Sequence, residues 1–150
     1  MAELTITVAG TPAPQGSKRH VGNGVMVESS KAVKLWRQDV RTAAEKALAA
    51  SPAIALTRAP VSVEIAFYLK RPKGHYRTGR NACLLRDTAP ARPAGKPDVD
   101  KLARAVLDAL TAVTWVDDAQ VADLAAHKFY AELGGLLGAI IRIREIETTC

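Results

Sequence analysis

Cysteine is nearly absent: the 150-residue chain has two, Cys83 in a basic stretch and Cys150 at the last position. Two thiols so placed fit neither a disulfide framework nor a zinc cluster, and a reducing cytoplasm is the expected setting. Aromatic residues are scarce at 5%, which argues against a platform of stacked rings for single-stranded nucleic acid. No apolar run approaches the ~20 residues needed to span a bilayer, and Met1-Ala2-Glu3 lacks the basic opening of a secretory signal. A soluble, unexported protein with no membrane partner is expected. Internal repeats are lacking too. Acidic residues are sparse until late in the chain: residues 1–96 carry sixteen Lys and Arg against six Asp and Glu, residues 97–150 five against nine, for a net charge of +6.

What is present is 48% hydrophobic and 24% charged residues, enough for one globular domain over 1–150 with a real core. Leu4, Ile6 and Val8 alternate with Thr5 and Thr7, which predicts a strand ending at Gly10 and the Pro12/Pro14 pair. Gln15 to His20 is a polar, basic connection, and Val21, Val25 and Val27 around Gly22-Asn23-Gly24 suggest a short second strand or hairpin. Ser29 or Ser30 can cap a long helix whose apolar positions Val33, Trp36, Val40, Ala43, Ala47 and Leu48 recur at helical spacing until Ser51-Pro52. Trp36 on that apolar face suits core packing better than base stacking. After Pro60, Val61, Val63, Ile65, Phe67 and Leu69 alternate with Ser62, Glu64, Ala66 and Tyr68 and predict a half-buried strand. Lys70 to Lys96 is a long loop with eight Lys and Arg and a single acid, Asp87; such loops are usually functional or disordered. Val99, Leu102, Ala103, Val106, Leu107 and Leu110 form one stripe, so a second helix begins near Asp98. Gln120 to Tyr130 and Leu136 to Ile146 read as two more strands joined near Gly134-Gly135. The expected fold is a single α/β (α+β) domain, a mixed sheet with two long helices packed on it.

The chemistry concentrates in Lys96-Pro97-Asp98-Val99-Asp100 and in Trp115-Val116-Asp117-Asp118-Ala119-Gln120, two acidic clusters bracketing the second helix. Carboxylates that converge repel one another unless a hard cation neutralises them, so the pattern reads as a metal site. A plainer reading makes Asp98 an N-cap, Asp100 a first-turn acid favoured by the helix dipole, and Asp117-Asp118 a solvated turn. Against that, the turn sits between Trp115 and an apolar strand, so one Asp of the pair would point inward. On spacing alone, Arg104 pairs with Asp100 or Asp108. His20, His75 and His127 form no ligand spacing; His75, beside Lys73 and Arg77, suits DNA contact, the other two structural or surface positions. A basic body around an acidic metal centre suits an enzyme that holds a polyanion and attacks its phosphate. Lys18, Arg19, Lys70, Arg71, Lys73, Arg77 and Arg80 are candidate phosphate contacts, as are Lys96 and Lys101 beside the acids; such contacts position DNA without reading its bases.

The run Pro97-Asp98-Val99-Asp100-Lys101-Leu102-Ala103-Arg104-Ala105-Val106-Leu107-Asp108-Ala109-Leu110, followed by Trp115-Val116-Asp117-Asp118-Ala119-Gln120-Val121, closely resembles the RusA family of Holliday-junction resolvases. The motif-level match covers about one third of the chain, and Pro14-Gln15-Gly16-Ser17-Lys18-Arg19 looks like that family's basic entry loop. The resemblance implies a homodimeric, Mg²⁺-dependent endonuclease, commonly encoded by phages and prophages, that cuts a four-way DNA junction with paired nicks. Asp98, Asp100 and Asp118 would be the metal-binding carboxylates, with Asp117 a secondary ligand or support; an all-oxygen donor set favours Mg²⁺, or Mn²⁺ in its place, over zinc. The family typically has a functional lysine six residues after the first Asp, where this chain has Arg104. Arginine keeps the charge and can clamp a phosphate but cannot transfer a proton. If the lysine's role is electrostatic, Arg104 replaces it, which is the favoured reading; if it must deprotonate, activity falls or Lys101 takes over. Paired nicks in a two-fold junction call for two active sites, which a C2 homodimer supplies. The apolar sides of Leu4–Val8 and Leu136–Ile146 could serve that interface or the core. Two other readings remain: a non-catalytic DNA-binding protein in which the acids are structural, and a metal-dependent enzyme acting on small phosphorylated substrates, which leaves the basic loop without a purpose.

Overall fold

Alternation within the strands decides which side of the sheet is buried. The computed structural model describes residues 2–16 and 29–147. Six regular elements follow in order: β1 (Glu3–Ala9), α1 (Ser29–Ala50), β2 (Val61–Leu69), α2 (Val99–Leu110), β3 (Val121–Tyr130) and β4 (Gly138–Glu145). The strands form one mixed sheet in the order β1-β4-β2-β3, with β2 and β3 parallel and the other two pairings antiparallel. This is the expected α+β fold with two helices on the sheet. The suggested strand at Val21–Val27, the Ser29/Ser30 cap, His20 and the basic pair Lys18 and Arg19 lie outside the described residues or side chains.

Side chains at every second strand position point to one face. Leu4, Ile6 and Val8 of β1, Val61, Val63, Ile65 and Phe67 of β2, and Ala139, Ile141 and Ile143 of β4 are all buried on the same side. Both helices cover that side. Helix α1 contributes Val33, Trp36, Val40 and Ala44, and α2 contributes Leu102, Ala103, Val106 and Leu110, so one continuous cluster lies between helices and sheet. Trp36 is fully buried. The apolar sides of β1 and β4 therefore belong to the core and are not free for an interface. The opposite face carries Glu3, Thr5, Glu64, Arg142 and Arg144, with Arg142 3.7 Å from Glu64 across the β4–β2 pair.

Two features were left open by the sequence. β3 and β4 are consecutive in sequence but not neighbours: β2 lies between them, antiparallel to β4 and parallel to β3. The β2–β3 connection is the segment carrying the basic loop and α2, because parallel neighbours need a long crossover that a turn cannot provide. The loop at 70–96 is also folded. A 3-10 turn, Lys73–His75, precedes a small antiparallel bridge between Tyr76 and Leu85, and a second, Gly79–Asn81, lies in the loop that the bridge closes.

Close packing of β1 on β4 makes one glycine obligatory. Gly138 has φ +147, and a Cβ there would strike the carbonyl of Val8. Gly138→Ala is expected to destabilise the fold by about 1–3 kcal/mol in urea titration. Gly74→Ala, where a Cβ meets nothing within 4 Å, should stay within about 0.5 kcal/mol.

Candidate active site

Helix α2 is buried almost all the way round: Leu102, Ala103, Ala105, Val106, Leu107, Ala109 and Leu110 are all buried. What stays outside is a charged strip formed by Asp100, Lys101, Arg104 and the half-buried Asp108. Asp100, Arg104 and Asp108 recur at four-residue spacing and so share one face. Asp98 occupies the N-cap position with extended backbone, φ −72 and ψ 137, yet its carboxylate accepts no capping hydrogen bond. It lies 3.8 Å from Lys101 Nζ, half-exposed. Asp100, in the first turn and exposed, makes no hydrogen bond or ion pair among the described residues. The simple capping role is thus absent for Asp98. Dipole stabilisation remains for Asp100.

The second acidic cluster is held by side chain to backbone bonds. The chain leaves α2 through a knot in which the Thr111 hydroxyl donates to Leu107 O, Trp115 Nε1 donates to that hydroxyl at 3.2 Å, and the buried Thr114 hydroxyl donates to Leu110 O. A 3-10 turn, Asp118–Gln120, follows, with Asp117 as its N-cap accepting from Ala119 N at 3.0 Å. Gln120 is the hub of the turn. Its Oε1 accepts from Val116 N and Asp117 N, both at 2.9 Å, and its Nε2 donates to Thr57 O and Ala59 O, both at 2.9 Å. One Asp117 oxygen is occupied by capping, whereas Asp118 is turned towards α2, where Arg104 Nη1 donates to its Oδ2 at 3.0 Å. Neither aspartate is buried, so the inward-pointing Asp expected from the sequence is not found; Asp118 instead faces α2 across the surface, where Arg104 supplies a partner. Arg104 also lies 3.8 Å from Asp108. Its partners are therefore Asp118 and Asp108, and Asp100 is not among them, because the docked turn offers a nearer carboxylate than the helix does.

Among the described residues, no three His, Cys, Asp or Glu side chains stand close enough together to hold a metal ion. Asp98 and Asp100 begin α2, while Asp118 is tied to Arg104 one turn further on. The donor chemistry is carboxylate oxygen throughout, which suits a hard cation.

The basic loop divides into cations already engaged and cations that are not. Arg71 lies over the Tyr130 ring at 4.2 Å and donates to Pro90 O; Arg92 lies over the Phe129 ring at 4.3 Å and donates to Lys128 O. Arg77 donates to Leu85 O and Asp87, and Arg86 donates to Tyr76 O. These arginines hold the loop on β3 and on itself. His75 joins them, 3.2 Å from Arg71 and edge-on to Tyr130. Lys70, Lys73, Arg80 and Lys96 are exposed and make no such contact among the described residues. On the other flank, Gln15 N donates to Lys101 O, and Arg37 donates to Gln15 Oε1. That brings the start of the 15–20 segment against the first turn of α2. A cleft of about 400 Å³ opens there between Pro12, Pro14, Ala32 and Pro97, with Lys96 and Asp98 at its wall.

Two residues central to this arrangement carried no assigned role in the sequence. Gln120 stands in the motif as one more polar residue. Lys128 reads as an ordinary strand lysine, yet its Nζ donates to Gly95 O at 2.7 Å and Pro97 O at 2.9 Å.

Compared with known proteins, residues 9–144 match the family model for endodeoxyribonuclease RusA. The uncharacterized protein YqaN of Bacillus subtilis (strain 168) is 33% identical to this chain over 131 residues, covering 86% of this chain and 89% of that one.

Replacing Gln120 by Ala removes one acceptor from two backbone N–H groups and one donor from two carbonyls. An expected loss of about 1–3 kcal/mol in urea-induced unfolding checks its role as the hub of the acidic turn.

Proposed function

The chain belongs to the RusA family of endodeoxyribonucleases, nucleases of Holliday-junction resolution, and from that premise we propose that it is a Mg²⁺-dependent resolvase that cuts four-way DNA junctions by paired nicks. The observation that carries the proposal is the charged strip of α2, the one face of a buried helix left to solvent, with Asp100 unpartnered among the described residues and Asp98 paired only with Lys101 at its start, and Asp118 beside it. In this reading residues 1–150 act as one endonuclease domain, and two copies form a C2 homodimer in the cytoplasm, so that each matched nick has its own site. Among the described residues, no helix is long and apolar enough to cross a membrane.

Asp98, Asp100 and Asp118 do not stand together as a ready-made three-carboxylate group; they would have to draw together to hold the ion, with Asp117 supporting Asp118 through the capped turn. The chemistry a bound ion would supply is activation of a water for attack on the phosphodiester and neutralisation of charge on the leaving oxygen. Asp98 and Asp100 have no capping bond to give up. Asp118 must part from Arg104, and the guanidinium so released can fork onto a phosphate oxygen. Because arginine stays protonated, this contribution is electrostatic and involves no proton transfer. Lys101, 3.8 Å from Asp98, adds positive charge at the same end of α2. Lys70, Lys73, Arg80 and Lys96, together with Lys18 and Arg19, are the proposed phosphate contacts. Arg71 and Arg77, already engaged within the loop, would shape the surface that presents them.

The Arg104–Asp118 pair also suits a second reading, a structure-selective DNA-binding protein in which that ion pair fixes a turn and no cleavage occurs. A labelled four-way junction separates the two when compared with matched linear duplex in Mg²⁺ or EDTA, using wild type and Asp100→Asn. Paired nicks are expected in the junction alone, dependent on Mg²⁺ and lost in Asp100→Asn, with junction binding retained. Binding without cleavage by the wild type in any divalent ion would favour the second reading. For the DNA contacts, the double variant Lys73→Ala/Arg80→Ala is expected to reduce the slope of log affinity against log salt by about 2, roughly one per lost phosphate contact.

A further inference from the structure

Lys128 breaks the pattern of its strand. In the β2–β3 register it stands opposite Phe67, and Ala126 stands opposite Ile65. Facing residues of paired strands share a side of the sheet, and Phe67 and Ile65 are fully buried there. An apolar residue is the ordinary occupant of that side. An inward-facing charge on an edge strand can serve to blunt the edge against pairing with another chain, but that role asks nothing specific of the ammonium. Here the ammonium is specifically engaged. It donates to Gly95 O at 2.7 Å and to Pro97 O at 2.9 Å, two carbonyls that bracket Lys96 and stand immediately before Asp98. The strand holds the lysine in turn, since Lys128 O accepts from Arg92 Nε at 3.0 Å while the Arg92 guanidinium lies over Phe129.

Burial holds the body of α2, and Gln15 N donates to Lys101 O in its first turn, but the residues that lead into it are held by few bonds. The Asp98 side chain does not cap the helix, so the first N–H groups of α2 lack the side-chain partner that usually fixes the entry angle of a helix. The entering segment is half-exposed or exposed from Arg92 to Asp98. Two charge-assisted bonds from one ammonium, whose backbone belongs to a sheet ladder, lock that segment from outside. Asp98 follows directly, and Asp100 is two residues on.

We propose that Lys128 is a positioning residue for the Asp98 and Asp100 carboxylates: it sets where α2 begins, and so preorganises those acids for a divalent cation without touching substrate. The inference rests on the reading of Asp98 and Asp100 as metal carboxylates. It also removes Lys128 from the pool of cations available to DNA phosphate.

The test is calorimetric titration of the full-length protein with Mn²⁺, without DNA, on wild type, Lys128→Met and Lys128→Arg. Lys128→Met keeps the aliphatic length and loses the donors, and it is expected to weaken Mn²⁺ binding by about 10–100-fold, the range seen when a residue behind a metal ligand is removed. Lys128→Arg, which keeps donors, should recover most of that loss. Junction affinity in EDTA, and its salt slope, should be unchanged in both. Higher Mg²⁺ should restore the cleavage rate of Lys128→Met. If Lys128→Met fails to fold by circular dichroism, Lys128→Gln, retaining one donor pair, is expected to show an intermediate loss of affinity. Unaltered Mn²⁺ affinity in Lys128→Met alongside normal binding by wild type would overturn the inference, as would a salt slope reduced by about 1, the mark of a phosphate contact. A wild type that binds no divalent ion would overturn the metal reading itself, and this inference with it.

Discussion

The burial of α2 is the constraint on which the rest of the site depends. A twelve-residue helix with seven buried side chains can neither slide nor rotate without pulling apolar area out of the core, at about 25 cal/mol for each Å² exposed. The remaining strip is narrow, so the charges on it are fixed in direction by the packing behind them. Asp100, Arg104 and Asp108 point where Leu102, Val106 and Leu110 do not. The acids of the candidate site that α2 carries need no tight hydrogen bonding of their own to be oriented, because the helix is held from the other side.

Both ends of that helix are joined to the sheet by side chains that bond to backbone. At its start, Lys128 reaches two carbonyls of the incoming chain. Beyond its end, Gln120 ties the acidic turn to the segment before β2 through four bonds, two accepted and two donated. Each joint links residues far apart in sequence. Together they fix the separation between Asp98 and Asp118, which belong to different loops, through a shared sheet. The same economy of function runs through the basic loop. Arg71, Arg77, Arg86 and Arg92 bond to carbonyls, and Arg71 and Arg92 also lie over aromatic rings, as suits a planar guanidinium with several donors, while Lys70, Lys73, Arg80 and Lys96 remain outside. A net charge of +6 therefore overstates the charge that is free to meet a polyanion.

Much of the fold was legible from residue spacing. Leu4 to Val8, Val61 to Leu69 and the 141–144 alternation gave strands with the correct buried side, and the stripe from Val99 to Leu110 gave α2. Asp98, Asp100, Asp117 and Asp118 stood out because like charges near an apolar segment have few inexpensive explanations. Other features were not legible. Placing β2 between β3 and β4 is a choice among pairings that alternation leaves equal. The division of labour among the arginines depends on which rings lie beneath them. Arg104 was read as a partner of Asp100 or Asp108 from helical spacing, and the structure adds Asp118, fourteen residues away, which that spacing could not supply.

By itself the sequence determined the elements, their buried faces, the family to which the chain belongs and the acids that make up its candidate site, because periodicity and short motifs are local properties that a linear reading can detect. Tertiary structure alone decided the strand order, the engagement of Asp118 by Arg104, the docking of the acidic turn by Gln120 on the segment before β2, and the anchoring of the α2 entry by Lys128. Those depend on bonds between residues 14 to 63 positions apart, whose partners are chosen by how the sheet closes and carry no signature in the residues between them.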